Sequence, residues 1–124
     1  MKKFEYSEAD QKQIGEAALA VEYPLEEEGF SITQVTITSR RLTEDTDRYP
    51  EEGKRAVNKK CRELVYIFSA TPESGVVIDG REFGPAKGDV VMIEPGEEFF
   101  WRGYLDMLMF CVPAWTPEQH EIVE

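Results

Sequence analysis

Hydrophobic and polar positions alternate most cleanly between Ser31 and Thr38. In Ser31-Ile32-Thr33-Gln34-Val35-Thr36-Ile37-Thr38, Thr33, Val35 and Ile37 share one face while Gln34, Thr36 and Thr38 share the other. β-Branched residues dominate this segment, so a strand is predicted. Leu64 to Ala70 is apolar on both sides, Val65 and Ile67 on one and Leu64, Tyr66 and Phe68 on the other. That pattern suits a strand packed on both faces. Val76-Val77-Ile78 is a short strand, Asp79-Gly80 a hairpin turn, and Arg81 to Gly84 the returning arm. Asp89 to Ile93, Phe99 to Trp101 and Leu105 to Val112 are three further strands, with Glu94-Pro95-Gly96-Glu97 as a turn between the first two.

The flanking regions read differently. Residues 1–28 are polar, and Ser7-Glu8-Ala9-Asp10 fits a capping box, so a short helix is expected there. Residues 39–60 are charged and irregular, a long loop or a pair of short edge segments. Thr116-Pro117-Glu118-Gln119 reads as a second helix start, which places His120 inside a C-terminal helix. Many short strands with Gly and Pro at the corners indicate an all-β sandwich or barrel with a short terminal helix. The expected organisation is an N-terminal extension over 1–29, a β-barrel over 30–113 and a C-terminal tail or helix over 114–124.

Composition narrows the functional classes. The 124 residues carry a formal net charge of −11, a field that repels phosphate backbones and anionic lipid headgroups. Neither a nucleic-acid nor a membrane partner is expected. The longest apolar run, Met107 to Val112, is far shorter than the roughly 18 residues of a membrane span. Met1-Lys2-Lys3-Phe4-Glu5 has no apolar segment behind its lysines, so a cytoplasmic chain without a signal peptide is expected. Cys61 and Cys111 match no zinc or redox spacing and read as reduced thiols. Glu44-Asp45-Thr46-Asp47 fails the calcium-loop pattern, since Tyr49 follows and no glycine does. Arg40-Arg41 reads as a solvated edge.

Cys61 to Pro113 resembles a small single-domain cupin, a double-stranded β-helix of jelly-roll type. Gly88-Asp89-Val90-Val91-Met92-Ile93-Glu94-Pro95-Gly96-Glu97-Glu98-Phe99 is similar to the second cupin motif, with Phe99 where a histidine would stand. Glu63 followed by Leu64 to Ala70 is similar to the end of the first motif, with Ala70 in place of its glycine. The resemblance spans roughly residues 30–113 and implies the fold. It implies a metal site less well. Cupin metals are held by two histidines one residue apart, a glutamate and a further histidine. The matching positions here are Val57 and Lys59 (or Ala56 and Asn58, if the preceding loop shifts the count), then Glu63 and Phe99. Only Glu63 keeps a ligand type, and the sole histidine is His120. No metal and no cofactor are expected.

The candidate chemistry lies on the inward parities. Glu63 reads either as a general acid or base raised by burial, or as a buried carboxylate paired with Lys59, Arg62 or a backbone donor. Phe99 and Trp101 share a parity and either line a pocket or fill it. Met107, Met109 and Cys111 share the inner parity of the last strand, as pocket wall or as core. Gln34 and Thr36 share a face that meets either a ligand or water. The ligand-binding set is therefore Gln34, Thr36, Glu63, Val65, Phe99, Trp101, Met109 and Cys111.

Three functions follow. The first is a metal-free cupin-like barrel that binds a small, partly apolar organic molecule. The second is a metal-independent isomerase or epimerase with Glu63 as base and Tyr66 or Tyr104 as acid. The third is a structural or interaction module acting as a homodimer through Leu64, Tyr66 and Phe68.

Overall fold

The computed structural model describes residues 1–15, 17–37 and 48–124. All strand pairing among them is antiparallel and forms two separate sheets. The first sheet contains β1 (Asp10–Ile14), β2 (Ala18–Glu22), β3 (Ser31–Ile37), β11 (Leu105–Val112), β6 (Arg62–Ala70) and β9 (Val90–Ile93), in that spatial order. The second runs β12 (His120–Val123), β5 (Arg55–Asn58), β10 (Glu98–Arg102), β7 (Gly75–Ile78) and β8 (Arg81–Phe83), with β4 (Arg48–Tyr49) also on β10.

The all-β class and the central strands agree with the alternation in the sequence. Asp79 and Gly80 both take positive φ, 48° and 80°, and turn β7 into β8 as the dipeptide requires. The termini differ from expectation. Ser7 lies in a single 3-10 turn, Tyr6–Glu8, and residues 10–14 and 18–22 are strands. Their hairpin turns through Gly15 at φ 63° and joins the sheet through β2 on β3. A helix this short gains too little without a buried face, whereas a strand beside β3 satisfies its backbone and buries Ala18 and Ala20. The C-terminal helix is likewise one 3-10 turn, Pro117–Gln119, and His120 opens β12. Thr116 makes no side-chain cap; Gln119 turns inward instead, its Oε1 accepting the Lys60 and Cys61 N–H groups at 3.1 and 2.7 Å. Among its described residues the irregular region contains two short strands, β4 and β5. Thr38, Arg40, Arg41 and Glu44-Asp45-Thr46-Asp47 lie outside the described residues.

The core lies between the sheets. Val65, Ile67, Met107, Ile37 and Leu105 from the first sheet meet Trp101, Val76 and Ala56 from the second, all buried. Each large side chain so buried contributes about 1.5–3 kcal/mol relative to an exposed one. At the β1, β5 and β12 end the packing is incomplete, and a cavity opens between the sheets.

Candidate functional site

The cavity measures about 70 Å³, enough for a handful of water molecules or a small organic group. Its walls are mostly apolar: Ala18, Ala20, Val35 and Ile37 from β2 and β3, Met109 from β11, Phe99 and Trp101 from β10. Lys12, Glu22 and Thr33 lie on β1 to β3 and Tyr49 on β4, and the central polar groups come from β5, β6 and the chain end. β6 supplies Glu63, β5 supplies Asn58, and the chain end supplies Trp115 and His120.

These polar groups form one hydrogen-bonded chain whose directions follow from the donors. The Trp115 indole Nε1–H donates to Asn58 Oδ1 at 3.1 Å. An indole nitrogen only donates, so this contact sets which amide atom faces which neighbour. Asn58 Nδ2 then donates to Glu63 Oε2 at 3.1 Å. His120 Nδ1 lies 2.8 Å from Asn58 Oδ1, an acceptor, so Nδ1 carries the proton. His120 Nε2 is left as acceptor for the Tyr49 hydroxyl at 2.8 Å. Burial lowers the His120 pKa and keeps the ring neutral, consistent with that tautomer. Burial, with the nearby Glu63 charge, raises Tyr49 and keeps it a phenol.

Local structure positions each member. Arg48 donates to the Pro50 and Lys54 carbonyls at 3.0 and 2.7 Å, bracing the turn after Tyr49. Asn58 and His120 are register partners between β5 and β12. Trp115 is held by its own N–H donating to Ser31 Oγ at 3.0 Å. The Gln119 clamp on residues 60 and 61 sets the path into β6 and hence Glu63.

Glu63 is the electrostatic centre. Burial pushes its carboxyl up to about 7, against the lowering effect of hydrogen bonds from Asn58 and Cys111. Its expected partners are elsewhere: Lys59 pairs with Glu121 and Arg62 with Glu94, each at 3.1 Å. Lys12, at the cavity mouth, pairs with Glu22 at 2.8 Å and lies 5.7 Å from the Trp115 ring centre. Glu63 thus has no cationic partner among the described residues. The Trp101 indole N–H is likewise buried without a partner among them.

The fold brings Glu63, Phe99, Trp101, Met109 and Cys111 to the cavity wall. It leaves three of the expected residues elsewhere. Val65 is sealed in the core beyond the cavity. Gln34 and Thr36 point away from it and donate to Asp106 Oδ1 at 3.1 and 3.2 Å, because the inward parity of β3 belongs to Thr33, Val35 and Ile37. Tyr66 and Tyr104 are exposed and outside the cavity, so neither can serve Glu63 as an acid; the tyrosine of the site is Tyr49. Cys61 and Cys111 are buried, free and hydrogen-bonded to each other. That bond and burial raise Cys111, so it is a neutral thiol rather than a nucleophile.

The donor set does not fit a cupin-type metal. Ala56 and Asn58, rather than Val57 and Lys59, are the buried residues of β5, and Phe99 projects a phenyl ring. Both His120 nitrogens are engaged within the hydrogen-bonded chain. Among the described residues no three His, Cys, Asp or Glu side chains stand close enough to hold an ion.

No protein-family model and no curated protein matches the sequence. Solved structures do match the fold. A Streptomyces Pac13 variant with uridine aligns at TM-score 0.80 and 12% identity, covering 100% of this chain and 92% of that one; Pac13 is described as a nucleoside dehydratase. Ectoine synthase from P. lautus aligns at TM-score 0.63 and 16% identity over 93% of this chain and 81% of that one. The Cnp3 cupin domain of Schizosaccharomyces pombe aligns at 0.64 and 12% over 84% and 68%. At these identities the likeness is one of fold alone, and the chain has a cupin-like fold.

Proposed function

We propose that the chain binds a small, partly apolar organic molecule in the cavity between its sheets, without a metal. The observation that carries this reading is a mostly apolar cavity with an uncompensated carboxyl, Glu63, in its wall. An apolar pocket with a few convergent polar groups is the usual form of a small-molecule site. The aromatic side chains of Phe99 and Trp101 in the cavity wall suit such a molecule. Pac13, of the same fold, is solved with uridine.

A thermal-shift screen of small organic molecules tests the reading, with Trp101→Phe as control. The expected result is a saturable rise in unfolding temperature for some compounds, weakened in the variant. No shift from any compound, or the same shifts in a variant whose cavity is filled by Ala20→Leu, would overturn it.

A second reading is favoured by Glu63 lying near neutrality, where a general acid or base works best. In that reading Glu63 moves a proton on the bound molecule, and Tyr49, held by His120, faces it from the opposite sheet. Self-association through the outer face of β6 and β9 is compatible with both readings.

A further inference from the structure

The cavity's charge and ring content narrow the ligand further, an argument that rests on the binding reading above. Five aromatic side chains line it: Tyr49, Phe99, Trp101, Trp115 and His120. Trp115 and His120 meet at 5.2 Å between ring centres, and Tyr49 lies nearly parallel to His120 at 6.2 Å with its hydroxyl on Nε2, so the three rings are contiguous. Phe99 and Trp101 face the cavity from the neighbouring strand β10. Aromatic faces attract cations through the ring quadrupole, more strongly where water is excluded. The chain already uses this surface, since the Lys12 ammonium lies 5.7 Å from the Trp115 ring centre.

The lining charges favour the same class. Lys12 and Glu22 neutralise each other. Ionised Glu63 then leaves one negative charge in the cavity with no counter-ion among the described residues. A phosphate or carboxylate ligand would meet Glu63 and a net molecular charge of −11. A cation meets an ion-pair partner and a lining of aromatic side chains.

We infer that the cavity selects a small organic ammonium, with Glu63 as counter-ion and the aromatic rings around the cationic head. Methylated ammonium heads fit best, because they present an apolar surface to the rings while keeping their charge.

Calorimetric titration with three probes of one shape tests this. Choline is the cation, 3,3-dimethylbutan-1-ol its uncharged isostere, and 3,3-dimethylbutanoate the anion. At pH about 8 choline is expected to bind about tenfold or more tighter than the alcohol, and the anion not measurably. Glu63→Gln keeps the side-chain shape, and circular dichroism confirms that it is folded. In that variant choline and the alcohol should fall within about threefold of each other. An alcohol that binds as tightly as choline, or a preference for choline that survives Glu63→Gln, overturns the inference but leaves the cavity a small-molecule site. Binding by none of the three overturns it as well, and a blank thermal-shift screen alongside removes the binding reading itself.

Discussion

Replacing Glu63 with glutamine removes an ionisable group from a buried polar position of the cavity while keeping an oxygen for the Asn58 amide. The carboxyl lies at about 7 in the fold and at 4.5 when free, with burial as the main cause. Below pH 4.5 the group is protonated in both folded and unfolded chains and costs nothing. As pH rises from there, the unfolded chain ionises first and gains stability that the folded chain lacks. Above about 7 both are ionised, and the full cost of a buried carboxylate is felt. The wild type should therefore lose about 3 kcal/mol relative to the variant between those limits. That corresponds to roughly 10 °C in unfolding temperature for a domain of this size. Urea unfolding of both proteins, followed by circular dichroism at intervals of pH, isolates the effect because every other carboxylate is common to the two. The two should be nearly equal in acid and diverge toward neutrality, with Glu63→Gln the more stable. Parallel curves across the range, or a variant less stable at pH about 8, would refute the argument.

Two further outcomes follow from the same geometry. Asn58→Leu leaves Glu63, the Trp115 indole and the His120 Nδ1–H without their shared partner, and should destabilise the protein by about 3 kcal/mol or more, measured by urea unfolding. The outer face of β6 and β9 exposes Tyr66, Phe68, Val90 and Met92, and static light scattering at tens of micromolar should report twice the chain mass; a monomer there would remove the proposed self-association.

Much of the fold was legible because the central strands carry it in their own residues. Thr33, Val35 and Ile37 alternate with polar neighbours, and Val65, Ile67, Met107 and Met109 keep the inward parity that the structure shows. The N-terminal hairpin was not legible. Asp10-Gln11-Lys12-Gln13-Ile14 is an edge strand of polar residues, and Ala18 and Ala20 are better helix formers than strand formers, so neighbouring strands decide their state. The site was half legible for the same reason. Glu63, Phe99, Trp101, Met109 and Cys111 lie on strands long enough to show a parity. Tyr49, Asn58 and His120 lie on strands of two to four residues, too short for any period, and Asn58 meets His120 across 62 positions of sequence. Trp115 had a visible signal, an indole N–H next to Pro-rich turns, but its partner is set only when Ser31 fixes the local chain.

The protonation of Glu63 sets the charge of the cavity, and its side-chain carboxyl carbon can be followed by nuclear magnetic resonance as pH is varied. A midpoint near 7 is the predicted result, with the transition absent in Glu63→Gln. A midpoint at the ordinary 4.5 would mean that water or a cation reaches the carboxyl freely, and would contradict the buried, uncompensated charge on which the binding site is built.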